Sequence, residues 1–108
     1  MDESNVVFTK NMKHNKYKKE ETLEINGENV TIQSRQGGSV VMNFIGTEPE
    51  IKNVADYFKD VNDVEPLKVN ISGSGDVDHY FRGLSDMVQD EEGIYKLRVT
   101  LQFLSTTV

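Results

Sequence analysis

The fold is decided by the C-terminal stretch Ile94-Tyr-Lys-Leu-Arg-Val-Thr-Leu-Gln-Phe103. Every second residue from Tyr95 to Phe103 is apolar, and the residues between them are charged or polar. A period of two with β-branched and aromatic residues predicts a half-buried strand of an antiparallel sheet. Strands of about five or six residues are usual, so we expect this longer one to span a whole sheet.

Two β-hairpins are predicted. In the first, Asp78–Val88 is the incoming strand of the C-terminal stretch, and Gln89-Asp-Glu-Glu-Gly93 forms the turn. In the second, Asn26-Gly27 separates two alternating runs, Leu23–Ile25 and Val30–Ile32. Asn-Gly accepts the positive φ angles of a type I′ turn, which predicts a tight hairpin at this point.

One helix is predicted, over Glu48–Val61. Thr47-Glu48-Pro49-Glu50 fits a capping box, in which Thr47 is the N-cap and Glu50 returns a hydrogen bond. An apolar stripe at three- and four-residue spacing follows, consisting of Ile51, Val54, Ala55, Phe58 and Val61. Such a stripe is typical of a helix that packs on a core.

The remaining apolar runs predict further strands. Ser39–Ile45 is nearly continuous in apolar residues, so we expect both of its faces to be covered, and Leu67–Ser72 alternates. Val6–Thr9 is short and is interpreted as an edge strand. The predicted fold class is therefore mainly β (α+β), an antiparallel β-sandwich formed by residues 21–108 and packed by the single α-helix.

Charge divides the 108-residue chain unevenly. Residues 1–20 hold five lysines and three acids, whereas residues 21–108 hold seven basic and fifteen acidic residues. Lys10–Lys19 shows no helical or strand periodicity, so residues 1–20 are predicted to form a flexible basic arm. We expect the arm to become ordered at a subunit contact, through the lysines Lys10, Lys13, Lys16, Lys18 and Lys19.

The sequence offers no candidate catalytic residue, cofactor site or metal site. The chain has no cysteine, and only two histidines are present. His14 lies in the basic run, and His79 neighbours Asp78 in a strand, where adjacent side chains point to opposite faces. The acidic body disfavours sequence-specific nucleic-acid binding, and no apolar run approaches the ~20 residues of a membrane span. The lack of cysteine and of a signal peptide favours a soluble protein of a reducing compartment.

The order of the elements resembles the N-terminal β-sandwich domain of phage distal tail proteins and, more broadly, the phage tail-tube fold. The resemblance runs from about Glu21 to Phe103. Four motifs carry it: Val40-Val-Met-Asn-Phe-Ile45, Glu65-Pro66-Leu67, Asp78-His-Tyr-Phe-Arg-Gly83 and Val99-Thr-Leu-Gln-Phe103. The resemblance does not extend to the second domain that many distal tail proteins carry, so the tail component stays open among tail tube, distal tail and baseplate ring.

The resemblance implies a non-enzymatic structural subunit of a bacteriophage tail or tail-like particle. Such a subunit would assemble with itself into a ring, usually a hexamer, and contact neighbouring tail proteins. It would be found in the virion tail after assembly in the cytoplasm of the bacterial host. A second hypothesis is a small acidic cytoplasmic binding module, such as an immunity or defence-inhibiting protein. A third, a small-ligand enzyme, would need a pocket that the sequence does not reveal.

Overall fold

The computed structural model describes residues 5–11, 20–34, 36–61, 66–73 and 75–103. The elements, in chain order, are β1 (Val6–Asn11), β2 (Glu20–Ile25), β3 (Val30–Ser34), β4 (Ser39–Gly46), α1 (Glu48–Lys59), β5 (Leu67–Ile71), β6 (Asp76–Leu84), β7 (Val88–Gln89) and β8 (Tyr95–Phe103). The strands form one antiparallel sheet in the order β2-β1-β5-β6-β8-β4-β3, and β7 also pairs with β8. The predicted fold class, mainly β with one helix, is confirmed at this level.

The long C-terminal hairpin is confirmed. Strand β8 pairs with β4 on one side and with β6 and β7 on the other. Its inner face buries Leu97, Val99 and Leu101, as the alternation predicts. The incoming strand is less regular than predicted, because a bulge follows Phe81 and residues 85–87 separate β6 from β7.

The helix is confirmed with its capping box. The Thr47 side chain accepts from the Glu50 backbone N–H, and the Glu50 side chain accepts from the Thr47 N–H at 2.9 Å. Helix α1 ends at Lys59 instead of Val61, with Asp60 as the C-cap. The predicted stripe is buried within the helix, and Tyr57 is buried beside it.

The predicted tight hairpin at Asn26-Gly27 is wrong. Strand β2 pairs with β1 and strand β3 with β4, so the two runs lie at opposite ends of the sheet. Asn26 has a φ of −63°, and its side chain accepts from the Glu28 N–H to cap a 3₁₀ turn over Gly27–Asn29. Asn26-Gly27 does form a turn, but the Asn26 side chain caps it, and the turn leads from one end of the sheet to the other instead of joining paired strands.

The prediction of an edge strand at Val6–Thr9 is also wrong. Strand β1 extends to Asn11 and pairs with β2 on one side and with β5 on the other. Val6 and Phe8 are 1% and 0% exposed, because their side chains point into the core. The sheet therefore continues past β1, and its free ends are β2 and β3.

The sheet is strongly curved around helix α1. Strands β1 and β4 are four steps apart in the strand order, which in a flat sheet corresponds to about 19 Å. The rings of Phe8 in β1 and Phe44 in β4 nevertheless have centroids only 6.1 Å apart. Phe58 of the helix lies against both, at 5.1 and 6.3 Å. The two ends of the sheet thus face one another, and the helix fills the space between them.

Candidate interaction surfaces

Lys10, the first lysine of the predicted arm, belongs to the sheet. Its side chain points from β1 toward the helix and is buried, with the residue 6% exposed. The Nζ atom donates to the carbonyl oxygen of Tyr57 at 2.7 Å and lies 3.7 Å from a carboxylate oxygen of Glu21. The prediction that Lys10 lies in a flexible arm is therefore wrong, because these contacts hold its charge inside the protein.

Tyr57 completes this contact, which we call the polar clasp (Lys10, Glu21 and Tyr57). The Tyr57 hydroxyl donates to the backbone oxygen of Glu21 at 2.9 Å, and the Lys10 ammonium lies 4.2 Å from the centroid of the Tyr57 ring. Burial, and secondly the negative charge of Glu21, raise the pKa of the Tyr57 hydroxyl. The clasp fixes the C-terminal turn of α1 to β1 and β2, where a cation also complements the helix dipole.

The other lysines predicted at a subunit interface lie outside the described residues. They are Lys13, Lys16, Lys18 and Lys19, and His14 lies in the same segment. Glu20, the last residue of the predicted arm, begins β2. Strands β1 and β2 thus both extend into the predicted arm, and the role of the residues between them as an interface stays a prediction.

The two free edges of the sheet differ in charge. Strand β2 carries Glu21 and Glu24 exposed to solvent. Strand β3 is Val-Thr-Ile-Gln-Ser, with no charge and no proline, and Thr31 and Gln33 are exposed. Edge strands of monomeric proteins usually carry charges or prolines that prevent pairing with another chain. By this criterion β2 is protected and β3 is open to a partner strand.

A third surface lies on the outer face of the sheet, where β4, β7 and β8 adjoin. Lys96 of β8 is opposite Ile45 of β4 and Val88 of β7, so the three side chains share this face. A groove of about 380 Å³ lies here, and its lining includes Asn43, Ser85 and Arg98. We call this surface the outer groove; it was not predicted, because the sequence does not give the register that assembles it.

The turn between β7 and β8 is ordered by Asp90. Its Oδ1 atom accepts from the backbone N–H groups of Glu92 and Ile94, each at 2.9 Å, and Oδ2 lies 3.6 Å from Lys96 Nζ. The hydrogen bond from Ile94 is the main cause of a lowered pKa of the Asp90 carboxyl. The turn predicted at Gln89–Gly93 is therefore held together by the side chain of its first acidic residue.

His79 is a buried histidine of the sheet. It is 4% exposed, between Leu67 of β5 and Phe103 of β8 in the sheet register. Its Nδ1 atom lies 3.1 Å from the Val77 carbonyl oxygen. Burial lowers the pKa of the imidazole, although the Val77 carbonyl and the Asp78 charge oppose that shift. The neutral ring is therefore the form that the fold favours.

We expect the stability of the protein to fall as the pH drops below 6.5, the ordinary pKa of histidine. Below that value the unfolded chain binds a proton that folded His79 resists, so the stabilisation present at neutral pH is lost. One such group changes the free energy of unfolding by at most about 1.4 kcal/mol per pH unit. Urea unfolding at about pH 7.5 and 5.5 measures the loss.

The two histidines of the chain provide the control for this experiment. Replacing His79 by phenylalanine should remove most of the change between these pH values, whereas replacing His14 by asparagine should leave it in place. An unchanged pH dependence in the His79→Phe variant would show that another group is responsible.

The described residues contain no group of three or more His, Cys, Asp or Glu side chains that could hold a metal ion. In the same part of the chain, no helix has the length and apolar character needed to span a membrane. Comparisons with protein-family models, with curated proteins and with solved structures gave no match to this chain. Its function must therefore be inferred from the surfaces described above.

Proposed function

We propose that this chain is a non-enzymatic structural subunit of a bacteriophage tail or tail-like particle, with a tail-tube-like β-sandwich that assembles into a ring. The free edge of β3 is the observation that carries the proposal. It presents five uncharged residues, among them Val30 and Ile32, in a conformation that is ready to pair. An unprotected edge of this kind is a recognised site of association between chains.

The second free edge supports a ring rather than an unlimited cluster. Strands β2 and β3 end the same sheet, so each copy carries two different free edges and can contact a different neighbour through each. A contact between two different surfaces is heterologous, and it closes into a ring when the rotation between neighbours allows it. The acidic body, with a net charge of −6 for the whole chain, suits a ring through which DNA passes without binding.

The partners in this proposal are other copies of the chain, as a hexamer, and neighbouring tail proteins. The four lysines at 13, 16, 18 and 19 are expected to take part in contacts between subunits. The site of action is the virion tail, assembled in the bacterial cytoplasm.

We expect the purified chain to self-associate, and the variant Gln33→Lys to weaken association at least about tenfold, because a lysine on an edge strand disfavours pairing. Asn53→Lys is the matched control, since it changes an exposed amide to lysine on the helix. Light scattering over a range of concentrations measures the molecular mass of both variants and of the parent chain.

Two outcomes would contradict the proposal. One is a parent chain that stays monomeric at high concentration. The other is a tight one-to-one complex with an unrelated host protein, which would favour the binding-module hypothesis.

A further inference from the structure

The outer groove has the composition of a protein contact site. Among the large apolar side chains exposed in the described part of the chain, Ile45 and Val88 line the groove, and Ile94 lies in the turn that joins β7 to β8. Val88 is 59% exposed, and Ile45 and Ile94 are each 39% exposed. Clustered exposed apolar residues of this kind mark interaction sites.

Arg98 supplies the polar centre of this groove. Its Nε atom donates to the side-chain oxygen of Asn43 at 3.5 Å, and no carboxylate pairs with it among the described residues. Ser85 holds the backbone of Arg98 in place, because its hydroxyl accepts from the Arg98 N–H and its own N–H donates to the Arg98 carbonyl. The guanidinium is thus positioned while its charge stays uncompensated, and its fork geometry fits a carboxylate.

The neighbouring cation is already neutralised. Lys96 pairs with Asp90 at 3.6 Å, and Asp86, which also lines the groove, forms no ion pair with Arg98. Arg98 is therefore the cation of the groove that can form an ion pair with a carboxylate of a partner. Arginine next to apolar side chains is also the composition in which binding energy concentrates at protein interfaces.

A matching carboxylate is exposed on the free edge strand β2. Asn5 donates from its amide to Glu24 at 2.8 Å, and no cation pairs with Glu24 among the described residues. Glu21, by contrast, is committed to the polar clasp. Strand β2 lies four steps from β8 in the strand order, and no ion pair joins Glu24 to Arg98 within one protomer. Each side chain is held by an asparagine, and neither has a counter-ion within the described part of the chain.

We infer that the outer groove binds the β2 edge of a second copy of this chain, with Glu24 of the second copy paired to Arg98. The inference rests on the proposed function, since it names the surfaces that join neighbouring subunits. The exposed apolar side chains exclude water around the ion pair, which strengthens it relative to a pair in solvent. The contact is heterologous, because the groove and the β2 edge are different surfaces.

Charge exchange tests this pairing. Arg98→Glu and Glu24→Arg should each weaken self-association at least about tenfold, because each places like charges together. The double variant, and an equimolar mixture of the two single variants, should recover association to within about threefold of the parent chain. Lys52→Glu reverses an exposed charge on the helix and serves as the control. Sedimentation at one fixed salt concentration measures association.

The thermal unfolding midpoint of each variant shows whether it is folded. Arg98→Gln, which removes the charge but keeps a polar side chain, is a second and milder test of the ion pair. If the parent chain associates, and Arg98→Glu, Glu24→Arg and Arg98→Gln all associate as strongly as the parent, the contact is overturned and the proposed function still stands. Weakening by Arg98→Glu without recovery in the double variant would overturn Glu24 as the partner and indicate an acidic segment elsewhere. A monomeric parent chain would overturn both proposals.

Discussion

Replacing Phe58 by alanine should lower the free energy of unfolding by about 3–5 kcal/mol. Phe58 is fully buried and lies at the centre of the aromatic cluster. Its ring contacts come from three strands: Phe8 in β1, Phe44 in β4 and Phe81 in β6, with centroids 5.1–6.3 Å away. Alanine would leave a cavity at the point where the curved sheet closes on the helix. Because the surrounding strands are held by their own hydrogen bonds, the cavity can collapse only partly.

Chemical unfolding of the parent chain and the variant, with equal m-values, measures this loss. Phe103→Ala is the matched control, since Phe103 is 40% exposed and makes its ring contact with His79 at the end of the sheet. We expect the control to lose less than half as much. A loss below about 1 kcal/mol for Phe58→Ala would contradict the packing, because full burial of an aromatic ring is worth more than that.

The second large effect is expected at Lys10. Lys10→Glu would place a carboxylate where the ammonium now donates to the Tyr57 carbonyl and forms an ion pair with the Glu21 carboxylate. An acceptor would then face two acceptors at a buried site, and a new like-charge pair would form. Breaking a buried charged contact costs about 3–5 kcal/mol, which is a large part of the stability of a small domain. We expect this variant to be mostly unfolded or to show a greatly lowered unfolding midpoint.

Lys10→Met separates the charge from the packing. Methionine keeps the length and the apolar stem, loses the hydrogen bond to Tyr57 and should cost only about 1–2 kcal/mol. Circular dichroism with urea unfolding compares the two variants. Equal stability of Lys10→Glu and the parent chain would mean that the side chain leaves the clasp for solvent. Any charge reversal designed to probe the basic run at a subunit contact must therefore leave Lys10 unchanged.

Local signals in the sequence predict the elements that depend on local contacts. The capping box at Thr47 and the apolar stripe define α1, because both lie within a few residues along the chain. The alternation from Tyr95 to Phe103 likewise defines β8 and its inner face. Such patterns depend only on which side chains are buried. They therefore predict the element correctly whichever strands it pairs with.

Strand pairing could not be predicted in the same way. The Asn26-Gly27 signal is typical of a hairpin, yet β2 pairs with β1, the strand before it, and β3 pairs with β4, the strand after it. The energy of a sheet comes from cross-strand pairs, which a single sequence does not specify. The same reason made β1 seem like an edge strand.

Of the candidate surfaces, the position of Lys10 could have been predicted from the sequence, but the outer groove could not. Val6, Phe8 and Lys10 follow the alternation of β1, so the inward position of Lys10 could have been found. Its membership of a lysine-rich run obscured that position. The outer groove had no such signal, because Ile45, Val88 and Arg98 meet only through the register of three strands.

The number of strands in the sheet has a consequence for the polarity of any assembly. The path from β2 to β3 contains six successive antiparallel pairings, so these two end strands run in the same direction. Rotation about an axis along the strands leaves their direction unchanged, so in a ring of this kind the β2 and β3 edges of every copy would run the same way. Such a ring has two chemically different faces, and stacked rings would form a tube with a distinct top and bottom.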